Sequence, residues 1–403
     1  MKQLLIFLLT FLVFTACENK ETEIVEIPFN YISDNLAPNL VAGEDSLGLS
    51  WLHVDGEKPS LFYNQLKNDV WQTPKKITEG GDWFVNWADF PANAINGNLL
   101  LTSYLVKSDD GTFTYDIRLN LQDLEGNVIK EHFLLNTDGI KAEHGFVSMI
   151  PSENGGFYIS WLDGRNTGGS SHDGSHGGEH GAMTLRTAEI TKDGEIINEV
   201  QLDSRTCDCC QTSIAMTSEG PIVVYRDRSE RELRDIYFTQ KIGEAWTEPK
   251  PVFNDGWVIA GCPVNGPKVV STKNHIAVAW FTAAFNKPQV LVSFSKNGVA
   301  SFDDPIVLND FMPLGRVDVA FINEKSVLVS YMEAEGEETY LKVKKVKTNG
   351  QVSKSFIVSK LSSSRATGVP QLEILDNTAY LMWTAQENEE KQIKAVKFSL
   401  EHF

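Results

Sequence analysis

The sequence predicts an all-β chain folded as a β-propeller of seven blades, and three observations predict it. Seven alternating apolar stretches end on an aromatic residue: Leu47 to Trp51, Leu99 to Tyr104, Phe157 to Trp161, Ile222 to Tyr225, Ile276 to Trp280, Val327 to Tyr331 and Ala379 to Trp383. Those aromatics recur roughly every 51 to 64 residues, the length of a four-stranded blade. About 12 to 14 residues upstream of each, a second short strand begins, near Pro38, Pro91, Val147, Ser213, Pro267, Val317 and Pro370. Beyond the leader, no stretch of a dozen residues keeps apolar residues at i, i+3, i+4 and i+7, so helices are not expected.

Within the units, Gly97-Asn98, Asn154-Gly155-Gly156, Glu219-Gly220 and Asp376-Asn377 suit tight hairpins between the first two strands. The seventh unit ends at Phe403 one strand short. The alternating stretch Glu23-Ile24-Val25-Glu26-Ile27 can supply that strand from the other end, which closes the ring and hides sheet edges. Residues 35–403 are therefore expected to form a single propeller domain, with 17–34 as tether and closing strand. A ring of six blades plus an extra hairpin is the alternative.

The chain opens with Lys2, an apolar run from Leu4 to Phe14, and Phe14-Thr15-Ala16 before Cys17. That run is too short to span a bilayer and reads as a signal peptide over residues 1–16. Its end resembles the bacterial lipobox. The resemblance implies that Cys17 carries acyl chains and tethers the protein to the cell envelope, its only membrane contact being lipid. The bland alternative leaves Cys17 inside an uncleaved leader. A formal charge of −18 argues against nucleic acid as a partner and against adhesion to anionic membranes through basic patches.

Four cysteines remain, Cys207, Cys209, Cys210 and Cys262, just before the fourth and fifth repeats and so expected to be close in space. In an exported protein their default is disulfide pairing, with connectivity open. The rival reading is a copper or zinc site, since thiolates favour Cu(I) and Zn(II), and the glycine-rich insertion holding His172, His176 and His180 offers imidazoles. Without a metal that insertion is a solvated loop.

In a propeller, the turns between blades and the loops from second to third strand emerge on one face. These segments carry Asp89, Glu143, His144, Asp163 and Arg165, the cysteines, and Arg226, Arg228, Arg231, Arg234, Arg316 and Arg365. Seven of the chain's ten arginines thus fall there. The guanidinium fork suits carboxylate or phosphate, so a pocket for an acidic carbohydrate or other small anion competes with interblade salt bridges as the explanation. Asp163, Asp227 and Glu333 each sit two residues past a strand-ending aromatic, where a carboxylate can serve as a glycosidase acid or base, or satisfy a neighbouring arginine or turn amide.

Three outer segments share an ending: Asp69-Val70-Trp71 with Pro74, Glu244-Ala245-Trp246 with Pro249, and Ala300-Ser301-Phe302 with Pro305. Ser295 to Phe302 resembles a degenerate Asp box, and the whole mature chain resembles exported sialidase-like BNR-repeat propellers. The family features sought are Trp87-Ala88-Asp89-Phe90-Pro91, Glu143-His144-Gly145-Phe146-Val147, Cys207-Asp208-Cys209-Cys210, Tyr225-Arg226-Asp227 and Cys262-Pro263-Val264-Asn265-Gly266-Pro267. The resemblance implies hydrolysis of an acidic glycan, with arginines on the substrate carboxylate and a tyrosine nucleophile beside a glutamate, here Tyr331 and Glu333. Two rival functions stand beside it: a metal-handling lipoprotein, and a scaffold docking another envelope protein.

Overall fold

The structure, a computed structural model, describes residues 22–29, 31, 34–56, 58–167, 181–296, 298, 300–387, 390–401 and 403. The leader, Cys17, and His172, His176 and His180 lie outside the described residues. Seven antiparallel sheets stand around a common axis. Their innermost strands are Asn35–Ala42, Asn93–Asn96, His144–Pro151, Ser213–Thr217, Lys268–Ser271, Met312–Asn323 and Gln371–Leu375. Each is followed by a hairpin partner that contains the repeating aromatic. Every one of those aromatics, from Trp51 to Trp383, is buried.

The six-blade alternative is thereby excluded. In the seventh sheet Val25–Glu26 pairs antiparallel with the last strand, Glu390–Ser399, in the register Val25 to Lys397 and Glu26 to Val396. The residue after it, Ile27, donates its N–H to the Ala395 carbonyl at 2.8 Å and is 4% exposed. The first residues described and the last blade are thus joined by hydrogen bonds as well as by packing.

Both faces of every sheet must find an apolar neighbour, because a strand projects side chains alternately to its two faces. The core accordingly divides into seven apolar clusters, one at each blade-to-blade contact. The first and seventh blades meet through Ile27, Leu49, Trp51, Met382 and Ala395. The three fully buried indoles keep a polar partner: Trp51 Nε1 donates to Asn35, Trp161 Nε1 to Asp163 and Trp280 Nε1 to Asp255, at 3.0, 2.9 and 2.7 Å.

Three inner strands begin with an irregularity. The pairing register shifts between Leu36 and Asn39, Gly145 and Ser148, and Gly315 and Asp318. At each shift a non-glycine residue takes a left-handed backbone: Ala37 at φ 54°, Phe146 at 53° and Arg316 at 51°. Such bulges bend a strand and re-aim a side chain. Here they lie at the end of the ring where the interblade loops converge.

Closure predicts a measurable stability. Ile27→Ala removes buried methyl groups at the seam and should cost about 2–4 kcal/mol, with a lower urea midpoint. An unchanged midpoint would show that the N-terminal strand does not hold the ring shut.

Candidate functional site

The seven inner strands enclose an axial channel of about 460 Å³. Its wall is mixed: Asn39, Asn93, Ser148, Ser213, Gln371, Asp318, Glu373 and Lys268 alternate with apolar residues such as Val147, Ile214 and Val269. Burial, and then the Asp318 charge, push the Glu373 carboxyl up to about 8.

Interblade loops meet over one end of this channel in a hydrogen-bonded clasp. Gln211 donates through Nε2 to the Ala88 carbonyl at 2.8 Å and accepts from the Gly266 N–H at 2.9 Å. Asn265 accepts the Arg316 N–H at 2.7 Å and donates to the Leu314 carbonyl at 3.3 Å. Arg316 then lays its guanidinium 4.9 Å above the Trp87 ring. Gly266 is required here, since a Cβ would collide with the Gln211 backbone.

Beside the clasp, Asp89 and Glu143 share one phenol. Tyr115 Oη lies 2.8 Å from Glu143 Oε1 and 3.2 Å from Asp89 Oδ2, while Asp89 Oδ1 accepts the Phe146 N–H at 2.8 Å. Burial above all, with the Glu143 charge adding to it, raises Asp89 to about 8. One phenolic proton cannot serve two carboxylates. With Asp89 protonated at neutral pH, its carboxyl donates to Oη and Oη donates to Glu143.

His144 and Asp163 belong to a second buried network. His144 Nε2 lies 3.3 Å from Asp138 and 3.7 Å from Asp163. Arg165 forks onto Asp163 at 2.7 and 2.8 Å and reaches Asp138 and Glu199 at 3.1 Å. Burial opposes ionisation of Asp163, but the Arg165 hydrogen bonds and the His144 charge outweigh it and hold its carboxyl below the usual range. The Asp138, His144 and Asp163 ligand atoms have metal-binding spacing. Arg165 already supplies the positive charge there.

The arginines expected to line an anion pocket mostly do not. Arg226 is 1% exposed, and its hydrogen bonds end on the carbonyls of Arg234, Asn265 and Phe281. Arg234 is fully buried against Glu232 and the Cys207 sulfur. Arg228 bridges Asp208 and Glu232, and Arg165 is committed as above. Desolvation makes an unpaired interior cation costly, so these groups were drawn inward together with their acceptors. Arg316 is also buried, but Arg365 is exposed on the same face.

The expected catalytic groups fare similarly. Glu333 is fully buried, accepting from Lys342 at 2.7 Å and from the Asp310 and Phe311 N–H groups at 2.8 Å. Tyr331, also fully buried, donates to the Leu308 carbonyl at 3.3 Å rather than pairing with Glu333. Asp163 is sealed by Trp161 and Arg165. Asp227 alone of the four keeps partial exposure, and burial with the Asp203 and Asp235 charges raises it to about 7. That value suits proton transfer near neutral pH.

The cysteines do come together. Cys207, Cys209 and Cys210 place their sulfurs within 4.8 Å of one another, and Cys209 is within hydrogen-bonding reach of Cys262. None of the four forms a disulfide, and the 2.8 Å from Cys207 to Cys210 exceeds the roughly 2.0 Å of such a bond. Burial pushes Cys207 up to about 11. Burial also opposes ionisation of Cys210, but hydrogen bonds from its two neighbours and the Arg226 charge hold it well below the usual thiol range.

Asp89 gives a pH signature. Its folded value of about 8 exceeds the ordinary carboxyl value, so its contribution to stability is full below about pH 4 and declines as pH rises through about 8. Asp89→Asn keeps an acceptor for Phe146 and a donor for Tyr115 without titrating. Its unfolding midpoint should gain on that of the parent protein between about pH 5 and pH 8.5. A constant difference across that range would mean that Asp89 is ionised throughout.

No family model matches the chain, and no curated protein matches it. An α-L-arabinofuranosidase from Fusarium graminearum, with an iminosugar inhibitor, is similar at TM-score 0.49 and 13% identity, over 94% of this chain and 97% of that one. A Trypanosoma rangeli sialidase mutant with trans-sialidase activity gives 0.45 and 13%, over 91% and 54%. A polysaccharide lyase of a new family, an ulvan lyase bound to GlcA(1-4)Rha3S units, gives 0.54 and 12%, over 94% and 96%. At that identity the likeness is one of fold alone: this chain is a seven-bladed β-propeller.

Proposed function

We propose that this chain is a lipid-anchored envelope protein that binds an acidic carbohydrate on its loop-bearing face, with exposed Arg365 meeting the sugar's carboxylate or sulfate and buried Arg316 adding its charge from beneath. One observation carries the reading. Arg316 donates to the carbonyls of Ser363, Ser364 and Gly368, which bracket Arg365, so two guanidiniums sit together. Among the described residues neither forms an ion pair with a carboxylate. Burial, and then the Arg365 charge, bring Arg316 down to about 10, which is the electrostatic strain an incoming anion relieves.

Two further features support a sugar. Phe285 sits at φ 54° in the second-to-third-strand loop of the fifth blade and is 89% exposed, presenting a ring to solvent on the same face. A structural neighbour of this fold carries a uronic-acid saccharide. Half-exposed Asp227 is the group best placed to act as acid or base, should binding lead to cleavage.

Arg365→Ala should weaken binding of an acidic oligosaccharide by tenfold or more, since a charge-assisted contact is worth about 1.5–3 kcal/mol. Affinity for the neutral sugar and the unfolding midpoint should not change. Equal affinity of parent and variant, or no thermal protection by any uronic, sialic or sulfated saccharide at saturation, would overturn the reading. For the anchor, Cys17→Ser should move the chain from the detergent-rich to the aqueous phase.

A further inference from the structure

Three thiols from one interblade loop and a fourth from the next meet where the third, fourth and fifth blades adjoin. Cys207, Cys209 and Cys210 precede the inner strand Ser213–Thr217, and Cys262 precedes Lys268–Ser271. Cys207 and Cys210 are buried, Cys209 is half-buried and Cys262 is exposed. The Cys207 and Cys209 sulfurs are 4.0 Å apart. Ligands about 2.3 Å from a tetrahedral ion lie about 3.8 Å from each other. The Cys207–Cys209 spacing suits two ligands of one centre, and the Cys207 and Cys210 sulfurs, 2.8 Å apart, would open by about 1 Å around an ion.

We propose that Cys207, Cys209, Cys210 and Cys262 bind one thiophilic closed-shell cation, copper(I) or zinc(II). Neither the carbohydrate reading nor its arginines enter this inference.

Charge distinguishes a metal–thiolate cluster from two disulfides. Arg234 points Nη1 at the Cys207 sulfur from 3.3 Å. Arg226 adjoins the cluster through its own carbonyl, which accepts the Cys207 N–H at 3.0 Å, and its guanidinium bonds only to carbonyls. Arg228 completes the layer, tied to Asp208 and Glu232. The Cys207 sulfur thereby has a guanidinium at hydrogen-bonding distance, a contact that favours a thiolate over the neutral sulfur of a disulfide. Three thiolates on Zn(II) carry −1, four carry −2 and three on Cu(I) carry −2, negative charge that the adjoining guanidiniums stabilise and that a disulfide lacks.

The position of Cys262 adds a route. A site sealed on all sides exchanges its ion only by unfolding, whereas an exposed fourth ligand lets an ion enter from solvent. The site thereby suits acquisition or transfer of a metal as well as bracing of three blades.

The test uses the untagged mature chain isolated without reductant. Thiols are counted after denaturation in chelator, and the reduced chain is titrated anaerobically with copper(I) against a chromophoric competitor and, separately, with zinc(II). Four countable thiols, one ion per chain and a thiolate-to-metal charge-transfer band with copper(I), or with cobalt(II) substituting for zinc, are expected. Elemental analysis of the chain as isolated, before reduction and titration, identifies the native metal. Cys209→Ser should lower affinity at least tenfold. Cys262→Ser, at an exposed position, should also weaken binding while leaving the unfolding midpoint of the metal-free chain unchanged. Two disulfides in the isolated chain, failure to retain either ion, or undiminished affinity in both variants would overturn the proposal.

Discussion

Every sheet in this molecule is apolar on both faces, and no sheet is large enough to cover another alone. The ring resolves this: each blade is sandwiched by two neighbours, and the last finds the first through Ile27 and the short pairing of Val25–Glu26 with the final strand. Once that constraint is met, the loops at one end have nowhere to go but inward over the axis. The clasp of Gln211, Asn265, Arg316 and Trp87 is thus a product of closure. Residues more than 200 positions apart in sequence meet there because the ring brings them round.

The clasp also sorts the polar groups chemically. Those drawn beneath it are paired and protected from water: Arg165 with Asp163, Arg234 with Glu232, and Tyr115 between Asp89 and Glu143. Their pairing has a structural purpose, fixing blade to blade. Among the described residues, Arg316 and Arg365 stand apart from these in having no carboxylate partner. The distinction between a satisfied interior charge and an unsatisfied one separates scaffold from candidate site.

The fold was legible because its signal is periodic. An aromatic every blade, with a strand start at a fixed distance before it, survives errors of a few residues, and all seven aromatics are indeed buried. The site was less legible because sequence spacing places a residue on a face without giving its depth. Arg226 ends a second strand and Arg316 lies near the start of an inner one, both on the loop-bearing side, yet one is locked under Trp257 and the other borders exposed Arg365. Tyr331 and Glu333 point to one side of a strand, but that side is interior. Tyr115 and Asp138 escaped notice altogether. The one available signal for Tyr115 was a polar-tipped ring opening a third strand, where the equivalent residues are Thr184 and Ile236. The cysteines were the exception, since their equivalent placement before adjacent repeats was enough to bring them together.

The left-handed residues at the start of three inner strands carry a broader implication. Ala37, Phe146 and Arg316 are fixed in place by register shifts in the backbone, so whatever side chain stands at those positions inherits the same aim. All three are buried, so what that aim fixes is the contact between neighbouring blades at the mouth of the ring. Packing there is set one spoke at a time.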